Sequence, residues 1–196
     1  MVEINVQVGT PASAVKHQLE NILKENADLA SKLDFTQITT LISAINTANR
    51  IFIIAAGRSG FSMRSVAMRL MHLGLNVFFV GDTTTPAIAK GDLLIAASGS
   101  GTTSTIVRAA EKSVSAGATV VAISTNATSP LAALAKHIIV IPAAEKQDHG
   151  GELSIQYAGS LFEQFLLLLL DAVFQSLWKT QNTPAEELWK RHANME

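Results

Sequence analysis

The chain has 196 residues, 48% of them hydrophobic and only 16% charged, which excludes a disordered or fibrous polypeptide and suits one sizeable core. Fifteen Lys and Arg against sixteen Asp and Glu leave a net charge of -1, without the basic excess that holds a polyphosphate backbone, so no nucleic-acid partner is expected. Cysteine is absent, which rules out disulfides and thiolate metal sites and points to a reducing compartment, the cytoplasm.

The opening Met1-Val2-Glu3-Ile4-Asn5 carries an acid and lacks the basic segment and apolar stretch of an export signal. Residues 1–50 read as a helical arm. Leu19, Ile22, Leu23, Leu29 and Leu33 mark one apolar face. Ile38, Leu41, Ile42 and Ile45 mark a second beyond Asp34-Phe35-Thr36, again at helical spacing. At Ile51 the character changes. Short apolar runs at 51–56, 77–80, 93–97, 119–123 and 137–141 are bounded by Gly, Asp, Asn, Ser or Pro. Helix-length segments separate most of them, among them the pattern Met63, Val66, Ala67, Leu70 and the stretch 103–116.

Apolar runs without polar alternation are strands buried on both faces, and strands alternating with helices form a parallel sheet. The expected architecture is α/β, with a five-stranded parallel sheet flanked by helices. A long helix over 160–179 closes the sheet. Its greasiest run, 165–170, is bounded by Glu163 and Gln164 before it and Asp171 after it, well short of the ~20 apolar residues of a membrane span. No membrane partner is expected. Thr183-Pro184-Ala185-Glu186 predicts a last short helix with a cap hydroxyl, a proline at the first helical position and a reciprocal glutamate. The division is one domain over 1–196, with the arm at 1–50, a sheet-and-helix core at 51–180 and a C-terminal helix and tail at 181–196.

In an open α/β sheet, ligands bind beyond the carboxyl ends of the strands. Two loops qualify. Ser98-Gly99-Ser100-Gly101-Thr102-Thr103-Ser104 follows Ile95-Ala96-Ala97 and leads into a helix. Its glycines let successive N–H groups face one anion, the helix start adds partial positive charge, and the hydroxyls donate. Such a loop holds a phosphate monoester without lysine; a Ser/Gly-rich turn with a helix cap is the plainer alternative. Gly57-Arg58-Ser59-Gly60 ends the first run. It is open to two further readings, a tight strand-to-helix turn or a degenerate dinucleotide loop with Asp82 as the ribose acid. The fingerprints G-x-G-x-x-G and G-x-x-x-x-G-K-[ST] are missing, which disfavours NAD and ATP.

The pairing of these two loops resembles the sugar isomerase (SIS) domain family, a five-stranded parallel α/β sandwich that binds phosphosugars. Further stretches resemble its 6-phospho-3-hexuloisomerase branch. They are Ala67-Met68-Arg69-Leu70-Met71-His72-Leu73-Gly74, Val80-Gly81-Asp82-Thr83-Thr84-Thr85-Pro86, Gly159-Ser160-Leu161-Phe162-Glu163-Gln164 and Arg191-His192-Ala193-Asn194. The resemblance runs over nearly the whole chain in order. It implies a cytoplasmic homotetramer without cofactor that interconverts D-arabino-hex-3-ulose 6-phosphate and fructose 6-phosphate in the ribulose monophosphate route of formaldehyde fixation. Residue by residue, it implies phosphosugar contacts at Ser59, Ser98, Ser100 and Thr103. Gly99, Gly101 and Thr102 complete the loop, and Gly57 and Arg58 belong to the companion loop. Glu163 matches the catalytic base. One departure is that Gln156-Tyr157-Ala158 stands where the pattern has Gln-Pro-Met.

Moving a carbonyl from C3 to C2 requires removing the proton on the neighbouring carbon and returning one through an enediol. One carboxylate over one face of the sugar serves both steps when a largely apolar setting keeps it basic. Glu163 fits, beside Phe162 and the 165–170 run; a first-turn acid favoured by the helix dipole is the alternative. The enediolate oxygens also need donors, for which His192, Arg58 and backbone amides are candidates. The resemblance implies that a histidine arrives from a neighbouring subunit, so His192 is the candidate proton shuttle, against a tail histidine that merely complements a helix dipole. His72 reads as a hydrogen-bonded structural residue, His17 and His137 as structural, and His149 beside Asp148 as a site-mouth or solvated loop residue. Arg69 and Arg108 read as surface or interface charges, and Met63, Met68 and Met71 as packing. No His and acid pair has metal-ligand spacing, so no metal is expected, and no G-x-S-x-G elbow marks a nucleophilic serine.

Other SIS isomerases, acting on arabinose 5-phosphate or sedoheptulose 7-phosphate, are the same-class alternatives. The arabinose 5-phosphate enzymes usually add paired regulatory repeats, for which 196 residues leave no room. A non-catalytic phosphosugar-binding regulator is the alternative from another class, but no basic recognition helix is evident. The apolar arm, the closing helix and the hydrophobic content exceed what a small monomer hides, which suits an oligomer.

Overall fold

The structure, a computed structural model, describes residues 10–147 and 153–195. The five apolar runs form parallel strands β1 (Ile51–Ile54), β2 (Val77–Phe79), β3 (Leu93–Ala97), β4 (Thr119–Ser124) and β5 (His137–Val140) in the order β2-β1-β3-β4-β5. Ile51 lies opposite both Val77 and Leu93, Leu93 opposite Thr119, and Val121 opposite His137. The helices are α1 (Pro11–Lys32), α2 (Thr36–Thr47), α3 (Gly57–His72), α4 (Ser104–Ser115), α5 (Pro130–Leu134), α6 (Ser160–Gln181) and α7 (Ala185–Trp189).

Strand side chains alternate between two cores. Ile51, Ile53, Leu93, Ile95, Val121 and Ile123 pack with residues of α1, α2, α3 and α6. Phe52, Ile54, Leu94, Ala96, Val120 and Ala122 pack with residues of α4 and α5. Helices on both faces explain why the runs show no polar alternation. By length and composition α6 is long and apolar enough to cross a membrane, more so than its 165–170 run suggests. Here Leu161, Phe165, Leu166, Leu169, Leu170 and Val173 are buried in the first core, at about 1.5–3 kcal/mol of transfer free energy each.

The arm is only partly packed. The Thr10 side chain accepts from the Ser13 amide and Pro11 takes the first position, so α1 starts where a capped helix should. Leu29 and Leu33 are buried, as are Ile38, Leu41 and Ile45 of α2, but Leu19 and Leu23 of the same predicted face are 54% and 60% exposed.

Three local readings need correction. The box at Thr183 does not form: Pro184 is the N-cap of α7, with no side-chain cap, and the Thr183 carbonyl accepts from the Trp178 indole at 2.6 Å. His72 is buried but its Nδ1 has no hydrogen-bond partner among the described residues; its ring stacks on His192 instead. Of the three methionines, Met63 is in the core while Met68 and Met71 are exposed. Helix α5 was not foreseen. It starts on the Ser129 side chain, which accepts from the Ala132 amide, and on Pro130.

Candidate active site

The chain leaves β1 toward β2 on one side and returns to β3 on the other, so the loops after β1 and β3 diverge and leave a crevice at the strands' carboxyl ends. A cleft of about 170 Å³ lies there, lined among others by Gly57, Ser59, Ser98, Gly99, Ser100, Thr103 and Glu163. Three helices begin at it, α3 at Gly57, α4 at Ser104 and α6 at Ser160. None has a side-chain cap on its first amides. Each start carries roughly half a positive charge and unpaired N–H groups, so the cleft favours an anion before any cation is counted.

The Ser/Gly loop is fastened from behind. The Gly99 carbonyl accepts from the Thr125 amide at 3.0 Å and from the hydroxyls of Ser124 and Thr125 at 2.9 and 2.8 Å. The Gly101 carbonyl accepts from the Leu131 amide at 3.0 Å. Gly101 has φ +64, and a β-carbon there would stand 2.1 Å from Ser129 Oγ. Only glycine fits that turn. In front, the Ser98 and Thr103 hydroxyls lie 3.0 Å apart, and those of Ser100 and Thr102 2.9 Å apart. Gly101 and Thr102 shape the loop rather than line the cleft.

Glu163 sits in the first turn of α6 with its side chain 7% exposed, and its setting is less apolar than expected. Arg58 Nη1 lies 2.9 Å from Oε2 and also donates to Ser160 Oγ at 2.9 Å. Lys146 Nζ lies 4.0 Å from Oε1. Lys146 and its neighbour Glu145, both lining the cleft, escaped the sequence reading. They lie in a motif-free loop after β5, and the signal that could have found them is position: every loop leaving a strand's carboxyl end faces this side.

The segment entering α6 is held by α1. Glu25 accepts from Ser154 Oγ at 2.9 Å, the Ile155 amide at 2.7 Å and Gln156 Nε2 at 2.8 Å. Burial works against its ionisation, but the donors from Gln156, Ile155 and Ser154 outweigh it and hold the carboxyl below the usual range. Gln156 Oε1 accepts from Gln164 Nε2 at 2.8 Å, so the segment is tied to the turn that carries Glu163. In the departing stretch, Tyr157 is 89% exposed and Ala158 takes φ +50.

Two expected residues lie elsewhere. Asp82 pairs with Arg64 at 3.0 Å and does not line the cleft. His192 stacks on His72 with ring centroids 4.0 Å apart, at the C-terminal end of α3. The cleft is at the other end of that 16-residue helix, which is roughly 24 Å long, so His192 does not reach the site of its own protomer. His149 lies outside the described residues. A larger depression of about 450 Å³ at the strands' amino ends includes Asp92, Lys136 and His137 and none of the expected site residues.

Comparison with known proteins points to one family. The SIS domain family matches residues 44–168, a span that includes both loops and Glu163. The chain is 54% identical over 182 residues to the 3-hexulose-6-phosphate isomerase of Mycobacterium gastri, covering 93% of this chain and 92% of that one. It is 40% identical over 176 residues to the protein of the same name from Bacillus subtilis, covering 89% and 95%. Its fold is similar to the crystal structure of a hypothetical protein from Methanococcus jannaschii, for which a molecular function of 3-hexulose-6-phosphate isomerase was inferred. The TM-score is 0.79 at 32% identity, over 92% of this chain and 99% of that one. A family model that spans more than half of the chain and relatives 54% and 40% identical over most of their length show that the chain belongs to the SIS domain family, in the group of the 3-hexulose-6-phosphate isomerases.

Proposed function

We propose that the protein interconverts D-arabino-hex-3-ulose 6-phosphate and D-fructose 6-phosphate. The observation that carries this is the meeting, in one cleft, of a Ser/Gly loop that leads into an uncapped helix and a single buried carboxylate whose Oε1 is not held by Arg58. The terminal phosphoryl group sits against residues 98–103, held by amides and hydroxyls of Ser98, Ser100 and Thr103, with Ser59 beside them. That places the other end of the sugar at Glu163. The carboxylate takes the proton from C2, the C–H electron pair forms the C2=C3 bond, and the carbonyl pair moves onto O3. The same carboxyl returns the proton to C3 while O2 becomes the carbonyl and its proton passes to O3. Atoms and charge balance without a cofactor.

The O2-to-O3 proton transfer is the role we assign to His192, reaching in from a neighbouring subunit of a homotetramer. The exposed α1 residues Val15, Leu19 and Leu23 support such an assembly. The setting is the cytoplasm and the ribulose monophosphate route of formaldehyde fixation, with the chain acting as one domain. A coupled assay that detects fructose 6-phosphate made from hex-3-ulose 6-phosphate tests the reading. Pure protein that forms none discards it.

A further inference from the structure

The two cations beside Glu163 are not equivalent. Arg58 is committed to the protein, since its Nη1 meets both Glu163 Oε2 and Ser160 Oγ at 2.9 Å. It fixes the carboxylate. Lys146 approaches the other oxygen, Oε1, and stops at 4.0 Å, beyond hydrogen-bond length. Its stem crosses the start of α6, with Cγ 3.2 Å from where a β-carbon on Gly159 would stand. Its Nζ is 3.9 Å from where one on Gly57 would stand, at the start of α3. The ammonium therefore lies across the cleft, beside the carboxylate oxygen that Arg58 leaves free.

We propose that Lys146 is a further catalytic residue, whose ammonium stabilises the charge developing on the substrate's O2 and O3 as Glu163 takes the adjacent carbon-bound proton. This rests on the isomerase reading above. A base must come within ~3–3.5 Å of the carbon it deprotonates, and O2 and O3 are each one bond from the two carbons between which the proton moves. A cation 4.0 Å from the base oxygen is thus within reach of both. The phosphoryl group, at the far end of the sugar, is served by the loop at 98–103 and does not need this lysine. A positive charge beside the reacting carbons favours the enediolate over the neutral ketose, which lowers the barrier and not merely the binding energy.

The experiment compares wild type, Lys146→Met and Lys146→Arg in the coupled assay, with fructose 6-phosphate affinity measured by calorimetry. Lys146→Met is expected to lower kcat by about 10²–10³-fold, with KM and the fructose 6-phosphate Kd within about threefold. Lys146→Arg, which keeps the charge, recovers at least tenfold of that loss. The side chain is 66% exposed, so the Tm stays at the wild-type value; should Lys146→Met not fold, Lys146→Gln is read in its place. A kcat within threefold of wild type, or a loss confined to KM, overturns the role of Lys146 and leaves the isomerase reading intact. An inactive wild type overturns both.

Discussion

Arg58 Nη1 meets Glu163 Oε2 at 2.9 Å across a pair whose two members are unequally wet, 61% and 7% exposed. A buried carboxylate without a partner is costly, and the guanidinium, itself largely in water, supplies one at less desolvation than a fully buried pair would suffer. In the proposed mechanism the pairing also selects the oxygen that takes the proton. Oε2 is occupied and Oε1 is left for the proton. Glu163→Gln keeps the shape and removes the base; kcat should fall by at least ~10²–10⁴-fold while the fructose 6-phosphate Kd stays within a few-fold. Wild-type turnover in that variant would remove Glu163 from the mechanism.

Gly101 offers a test of the loop rather than the base. Its φ of +64 and the 2.1 Å approach of Ser129 Oγ leave no room for a methyl group. Gly101→Ala combines backbone strain with overpacking and should cost about 2–3 kcal/mol of stability. Displacement of Ser100 and Thr103 should also raise KM and weaken binding of inorganic phosphate. Unchanged phosphate affinity, measured by calorimetry, would separate the loop from the phosphoryl group.

The strands were legible because burial on both faces leaves mainly apolar residues, and the Ser/Gly loop because only small polar or glycine residues stand there between a strand and a helix. Leu19 and Leu29 look alike in the sequence, yet one is 54% exposed and the other buried, because only the far part of α1 meets α6, where Asn26 donates to Gln164 at 3.0 Å. Periodicity marks an apolar face without saying what covers it. The box at Thr183 failed for a related reason. The Trp178 indole of α6 donates to the Thr183 carbonyl five residues on, and Pro184, which has no capping side chain, takes the N-cap position. Glu163 showed its greasy neighbours, which are adjacent in sequence, but not Arg58 and Lys146, which reach it from other elements.

Arg50 and Asp92 clamp the amino ends of β1 and β3, through Nε to Oδ1 at 3.0 Å and Nη2 to Oδ2 at 2.6 Å. Burial opposes ionisation of Asp92, but Arg50 and the Ala89 amide outweigh it and hold the carboxyl below its ordinary 3.8. A depressed acid contributes stability that is complete above the ordinary value and lost as pH falls through the folded one. Arg50→Met leaves Asp92 buried without its cation and should lower the Tm by about 5 °C at pH 7. The gap should narrow below pH ~4, as protonation removes the need for a partner. A gap that holds at pH 3 assigns the loss to packing over Phe52, whose ring lies 5.3 Å from the guanidinium carbon.

His72 makes the tail sensitive to acid. It is buried, it faces His192 at 4.0 Å between ring centroids, and its carbonyl accepts from Arg191 at 3.1 Å. Burial first, then the nearby His192, Arg69 and Arg191, disfavours the imidazolium and pulls its pKa below the ordinary 6.5. The unfolded chain therefore binds more protons than the folded one between those two values, so this contribution is complete above pH 6.5 and is lost as pH falls through the lowered value. The Tm should drop by a few degrees between pH 7.5 and 5.5. His72→Phe keeps a ring against His192 and removes the titrating group, so its Tm should depend less on pH over that window. Equal slopes for the two proteins would assign the acid sensitivity to another group.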